Sequence, residues 1–242
     1  MYLGIDLGTS GVKVLLIDDS QKIIESETSP LTVQRPRSGW SEQDPAEWTS
    51  ATEAALDRLA QNHATNLAAV KGIGLSGQMH GATLLGDGDR VLRPCILWND
   101  TRSHAQAARM DGDSQFRAVT GNIVFPGFTA PKLLWVRENE PDIFARVTKV
   151  LLPKDYLRLW LTGECVSEMS DAAGTSWLDT GARDWSDPLL SATGMSVEQM
   201  PRLVEGSAPS GVVRQQLADR WGMGSAVVVA GGAGDNAASA IG

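Results

Sequence analysis

The chain opens with short runs rich in β-forming residues. Tyr2–Asp6, Val12–Ile17 and Lys22–Thr28 are separated by Gly8–Gly11 and by Asp18-Asp19-Ser20. Runs of this kind, jointed by Gly, Asp and Ser, predict a three-stranded antiparallel meander. The period then changes. Trp48, Ala51, Ala55, Leu56 and Leu59 recur at helical spacing behind Asp44, a good N-cap, with Pro45 at the first helical position and Glu47 placed for a capping box. One face of that helix is expected in the core.

Further along, Val70–Gly74, Ala82–Leu85 and Pro94–Trp98 read as strands, and Val150–Leu152 and Ala226–Ala230 as compact buried ones. Helices are expected over Arg102–Met110, Pro131–Asn139, Asp142–Val147, Lys154–Leu161, Pro188–Ser191 and Val213–Trp221. A meander followed by strands alternating with helices predicts an α/β fold with a mixed sheet flanked by helices. No repeat, low-complexity tract or linker interrupts the 242 residues, so one domain is expected.

Composition narrows the field. The chain is 42% hydrophobic and 21% charged, the usage of a soluble globular protein. A formal net charge of -8 argues against a nucleic-acid binder, which needs a basic face. It does not argue against a nucleotide held by a few N–H groups and one lysine. No apolar run approaches the ~20 residues that span a bilayer, and Asp6 interrupts the stretch where a signal peptide would sit. Cys95 and Cys165 lie far apart without metal-site spacing, and three histidines (His63, His80, His104) do not point to a metal cluster. A cytoplasmic chain without nucleic-acid or membrane partners is expected.

Candidate chemistry gathers where strands end. In Asp6-Leu7-Gly8-Thr9-Ser10-Gly11-Val12-Lys13, a turn with two glycines and two hydroxyls can turn N–H groups toward phosphate oxygens. Asp6 can hold Mg²⁺ directly or through water, and Lys13 can reach a phosphate. An ordinary polar hairpin explains the same residues, and the spacing is not that of a Walker A loop. The run Gly231-Gly232-Ala233-Gly234-Asp235-Asn236 brings backbone close to a cleft and sets two polar residues at a helix start. An N-cap would explain one of those polar residues but not the glycines.

Ser76-Gly77-Gln78-Met79-His80-Gly81 offers Gln78 and His80 at a strand tip, a pairing suited to a polyhydroxylated ligand. A satisfied structural histidine is the alternative. In Trp98-Asn99-Asp100-Thr101-Arg102, either Trp98 stacks on a sugar with Asn99, Asp100 and Arg102 on its hydroxyls, or Trp98 is core and Asp100 or Thr101 caps a helix. Met169-Ser170-Asp171-Ala172-Ala173-Gly174-Thr175 is either a cleft wall or a turn.

Taken in order, these segments resemble the FGGY carbohydrate kinases. That family belongs to the sugar kinase, actin and chaperone ATPase superfamily with a ribonuclease H-like core. Gly77–Ala82, Arg93–Asp100, Leu151–Leu157 and Ser170–Thr175 look like the xylulose-kinase branch, and Gly231–Ala237 completes the series. The resemblance implies a mixed five-stranded sheet containing the antiparallel meander. It implies Asp235 as general base and Asp6 as organiser of Mg²⁺. Gly8, Thr9, Ser10 and Lys13 would approach the phosphates of ATP. Met79, His80 and Asn236 would hold an open-chain ketose, with Gln78 and Trp98 nearby.

The small-molecule sugar and ATP are therefore the implied partners, D-xylulose the implied substrate, and a homodimer is an assembly this reading allows. Other ketoses or polyols (ribulose, fuculose, gluconate, glycerol) are alternative substrates. A non-catalytic sugar-binding or actin-like module is the alternative class, although an actin-like module has no use for Gln78-Met79-His80. Members of the family are about twice this length. Residues 1–242 thus resemble the N-terminal sugar-binding domain, without the C-terminal nucleotide-binding domain, and are expected to be inactive alone. Ala233 stands where the family pattern has glycine.

Overall fold

The structure, a computed structural model, describes residues 1–241. It begins with β1 (Tyr2–Leu7), β2 (Gly11–Ile17) and β3 (Ile23–Pro30), the expected antiparallel meander, in which Asp6 faces Lys13. Alternation sorts the side chains. Leu3, Ile5, Leu7, Val12, Val14 and Leu16 are buried on one face, while Gly4, Asp6, Lys13 and Leu15 lie on the other.

After β4 (Glu42–Gln43), helix α1 (Pro45–Ala68) covers the buried face. Its stripe of Trp48, Ala55, Leu56 and Leu59 is wholly buried, each large side chain contributing about 1.5–3 kcal/mol. Asp44 caps the helix by accepting the Ala46 N–H at 2.9 Å. The capping box expected of Glu47 is replaced by a backbone bond, Glu47 N–H to Asp44 O at 3.0 Å. Strand β5 (Gly72–Gly77) then runs parallel to β1 and pairs with it residue for residue. That pairing carries the strand to Gly77, beyond the expected Gly74.

A second layer follows, built from β6 (Thr83–Gly86), β7 (Arg90–Val91), β8 (Cys95–Ile96), α2 (His104–Asp111), α3 (Ser114–Thr120), α4 (Thr129–Asn139), α5 (Pro141–Phe144) and β9 (Lys149–Leu151). It encloses its own core around Leu84, Phe116, Leu133 and Trp177. The chain continues through α6 (Pro153–Thr162), β10 (Val166–Glu168), α7 (Met169–Ala172), β11 (Leu178–Asp179) and β12 (Asp184–Trp185). It ends with α8 (Asp187–Thr193), β13 (Arg202–Val204), β14 (Pro209–Val212), α9 (Gln215–Arg220), β15 (Val228–Ala230), β16 (Ala233–Gly234) and α10 (Asp235–Ile241).

The main sheet has the order β14-β15-β5-β1-β2-β3, with β16 also paired to β5, seven strands in all. The five expected strands are the continuous run from β15 to β3. The count grows because β14 adds an antiparallel edge and β16 resumes pairing on β5 after the Gly231-Gly232 break. Among the described residues no helix is long and apolar enough to cross a membrane.

Candidate active site

The parallel strands β1, β5 and β15–β16 all end on the same side of the sheet, where open α/β sheets place their ligand crevices. Register sets Asp6, Ser76 and Ala233 side by side. The Ser76 hydroxyl donates to Asp6 Oδ1 at 2.5 Å. Lys13 stands exposed on the other side of Asp6. These residues line an open cleft of about 520 Å³, flanked by Gly232 and by Ala238 and Ile241 of α10. The turn between β1 and β2 closes with the Gly8 N–H on Gly11 O at 3.0 Å, so Thr9 and Ser10 form its crest.

Thr9 is more constrained than its position in the turn implies. Its hydroxyl donates to Gln78 Oε1 at 3.1 Å and accepts from the Trp98 indole N–H at 2.9 Å. Gln78 in turn is 1% exposed and donates to Gln43 Oε1 at 2.9 Å. Gln43 Oε1 also accepts the Trp48 indole N–H at 3.0 Å, and Gln43 Nε2 donates to Thr9 O at 2.8 Å. A relay therefore runs from α1 through two glutamines to the turn. Among the described residues it leaves the Ser10 hydroxyl as the free one on the crest, and it commits both ends of the Gln78 amide internally. Trp98 is 47% exposed, so its ring is available to a ligand while its N–H is anchored.

His80 has φ 65°, in the left-handed region. Its carbonyl accepts from Thr129 Oγ1 at 3.1 Å and from Lys132 Nζ at 2.8 Å, and Lys132 also donates to Gly127 O at 2.6 Å. The imidazole lies 4.7 Å from the Phe128 ring and places Nδ1 2.9 Å from Gly174 O. A carbonyl only accepts, so Nδ1 carries the hydrogen and the neutral ring presents Nε2 as an acceptor. Burial, joined by the charge of Lys132, holds the His80 pKa down at about 4. A Cβ on Gly174 would stand 2.3 Å from this ring, so only glycine allows the approach.

Asp235 opens α10 directly after β16. The chain reaches it through Gly232, whose φ is 76° and whose Cβ would lie 2.0 Å from Leu75 O. Met79 packs on Gly234, with Sδ 2.8 Å from where a Cβ would be, and so borders Asp235. Asp235 is half-buried, which pushes its carboxyl up, and the nearby Asp6 pushes the same way against the Asn236 N–H bonded to Asp235 Oδ1. Asn236 itself is exposed. Ala233 pairs with Ser76 in β16 and needs no positive φ, which explains why alanine serves there.

One expectation is corrected by burial. Asp100 and Arg102 are not free for hydroxyls: they pair with each other through two bonds of 2.9 and 2.6 Å, and Asp100 also accepts the Ser41 N–H at 2.6 Å. Conversely, the Ser170–Thr175 segment supplies Gly174 to the site and buries Asp171 completely. Gln43, Thr129 and Lys132 support the site without any local signal in the sequence; only proximity in the fold reveals them.

Among the described residues no group of three or more His, Cys, Asp or Glu could hold a metal ion. Asp6, with one oxygen taken by Ser76 and the other uncommitted, suits Mg²⁺, which is held by one or two carboxylates with water and phosphate rather than by an all-protein cage.

The whole chain compares closely with known proteins. It is 55% identical over 243 residues to Xylulose kinase of Escherichia coli strain K12 and 40% identical over 242 residues to Xylulose kinase of Lactococcus lactis. These alignments take in 100% and 99% of this chain but 50% and 48% of those proteins, so the chain spans about half the length of the curated relatives it matches. A solved "xyloylose kinase" from Brucella ovis superposes with a TM-score of 0.97 at 65% identity over 98% of this chain and 49% of that one. Xylulose kinase from Rhodospirillum rubrum does so with a TM-score of 0.94 at 28% identity, over 99% of this chain and 50% of that one. The N-terminal-domain model of the FGGY family of carbohydrate kinases matches residues 1–242, and the chain belongs to that family.

Proposed function

We propose that this chain is the sugar-binding half of an ATP-dependent kinase that converts D-xylulose to D-xylulose 5-phosphate in the cytoplasm. The observation that supports the reading is the position of Asp235, which directly follows Gly234, where Met79 packs, and feels the charge of Asp6. Asp6, Lys13 and Ser76 line the open cleft, and His80 follows Met79 in the chain. The similarity of the whole of this chain to half of the xylulose kinases favours xylulose among sugars. Residues 1–242 form one domain in this reading, and the partner domain supplies the remainder of the nucleotide site.

Phosphoryl transfer asks for positioning, charge neutralisation and one oriented nucleophile. Asp235 takes the proton of the attacking sugar hydroxyl, a task its raised pKa suits. His80 Nε2 accepts from a second hydroxyl, Asn236 donates to another, and the Trp98 face covers the carbon chain. Met79 fills the wall behind Asp235, while Gln78 works from behind by fixing Thr9 and, through it, Trp98. Lys13 and the Ser10 hydroxyl face the phosphates, as do the Thr9 and Ser10 amides, with Gly8 shaping the turn. Asp6 would hold Mg²⁺, which when bound offsets phosphate charge.

In the full-length protein, Asp235→Asn is expected to lower kcat by about a thousandfold or more while the sugar Kd moves less than about threefold. Turnover near wild type would remove Asp235 from the base role. A panel including ribulose, fuculose, gluconate and glycerol tests the substrate, with D-xylulose expected to show the highest kcat/KM. A solved gluconate kinase from Lactobacillus acidophilus also superposes with a TM-score of 0.91 at 25% identity, which makes gluconate the most informative competitor.

A further inference from the structure

Behind the turn that delivers Asp235 lies a fully buried group of charges that the reaction does not use. Arg158, on α6, is 0% exposed. Its Nη1 donates to Ala230 O at 2.7 Å and its Nη2 to Gly231 O at 2.5 Å, the last two carbonyls before the left-handed Gly232. Nη1 also reaches Ser210, whose hydroxyl bonds Val229 O at 2.8 Å. One guanidinium thus grips the strand end just where it breaks. Glu205 and Gly206 crowd the same turn from outside, since a Cβ on Gly231 would meet Glu205 O at 2.3 Å.

One helical turn earlier, Lys154 Nζ sits 2.6 Å from Asp155, 3.4 Å from Asp171 and 3.7 Å from Glu168, and Asp155 lies 3.6 Å from Arg158. All five side chains are buried to 2% exposure or less. Two cations thus face three carboxyl groups, and an unbalanced charge in such an interior is strongly disfavoured. Asp155 holds the short contact to Lys154, and Glu168 accepts the Ser170 and Asp171 N–H groups at 2.7 and 2.9 Å. Asp171 has no hydrogen-bond partner on either oxygen, and its Oδ1 would be 3.4 Å from a Cβ on Gly234. It is the carboxyl group that binds a proton at least cost.

We propose that Arg158 and the cluster behind it are positioning residues for Asp235: they fix the Ala230–Gly234 turn, and a proton on Asp171 keeps the cluster neutral. The proposal rests on the reading of Asp235 as the base. The groups facing Asp171 are Lys154, Asp155 and Arg158 of α6 and Glu168 of β10, while Met79 and Gly234 on its other side bring no charge. Burial, aided by Asp155 and Glu168 against Lys154, pushes the Asp171 carboxyl up to about 8. The folded state therefore binds this proton more tightly than the unfolded chain. Stability from the group declines as pH rises from the ordinary carboxylate range, and the loss is complete above about 8.

The test uses the full-length protein, with steady-state kinetics against pH and amide hydrogen exchange over residues 228–238. Arg158→Lys keeps the charge but loses the fork. It is expected to lower kcat at least about tenfold with both KM values within about threefold, and to speed exchange across the turn. Asp171→Asn, which imitates the neutral acid, is expected to keep kcat within about twofold at pH 7 and to remove the wild-type decline above about pH 8. Unchanged exchange in Arg158→Lys would overturn the positioning role. Faster exchange with unchanged turnover would leave Arg158 a merely structural role and overturn the positioning proposal, while the reading of Asp235 as base is tested separately by Asp235→Asn. A loss at pH 7 in Asp171→Asn as large as that of Arg158→Lys would overturn the proton on Asp171. If Arg158→Lys does not fold, Ser210→Ala loosens the same fork without altering charge, and the same split at smaller size is expected; no change there overturns the proposal.

Discussion

His80 shows how much of a site can be set by one backbone oxygen. Gly174 O fixes the tautomer, and burial keeps the ring neutral, so Nε2 is left as an acceptor. With the folded pKa depressed to about 4 from 6.5, the stability tied to the neutral ring is complete above pH 6.5 and declines as pH falls toward 4. ¹⁵N NMR of the ring is therefore expected to show the Nδ1–H tautomer with no titration between pH 5 and 8; an inflection near 6.5 would refute the assignment. Gly174→Ala is the matching steric test. Its Cβ would collide with the imidazole at 2.3 Å, so sugar affinity is expected to drop about tenfold or more while thermal stability changes little, measured by calorimetry and a melting curve. Unaltered sugar affinity would mean that His80 does not touch the ligand.

At the level of elements, what the sequence disclosed and what it concealed divide by sequence separation. The meander, the Asp44-capped α1 and the glycine turn before Asp235 were legible because alternation, capping and glycine are local signals. The short α3 and α7 were not, having too few turns for a period to register. Gly174 with His80, 94 residues apart, and Thr9 with Trp98, 89 apart, come together only through tertiary packing. Asp100 and Arg102 misled for the same reason: a polar sequence carries no mark of being buried as a pair. The β15–β16 break is the element whose geometry is most tightly specified. Gly232 combines a positive φ with a 2.0 Å approach to Leu75 O, so Gly232→Ala is expected to destabilise the fold by about 1–3 kcal/mol or more, read by equilibrium denaturation. A smaller loss would mean that the turn relaxes away from β5.

In the whole molecule, two hydrophobic cores support the residues of the candidate site. The core between the main sheet and α1 lies beneath Asp6, Lys13 and the turn crest and includes Leu97 beside Trp98, while the core of the second layer includes Ala130 and Trp177, near Phe128 and Gly174. In the proposed reading the sugar side is assembled from residues of this chain, with its neutral imidazole, anchored indole and Met79 wall already packed. The phosphate side of that reading is an open sheet face with one carboxylate and one lysine, lined also by Gly4, Gly74 and Leu15, which offer no hydrogen-bonding side chains. Such a face can touch terminal phosphates but has little with which to enclose a nucleoside. Residues 1–242 alone are therefore expected to bind D-xylulose measurably by calorimetry, to bind ATP too weakly to detect, and to give no transfer in a coupled assay, whereas a chain of the relatives' full length carries out both. Detectable sugar binding without transfer would place the division of labour between the two halves where the cleft suggests. Transfer by residues 1–242 at a rate near that of the longer protein would show that the open sheet face holds the whole nucleotide, and would sink the two-half reading.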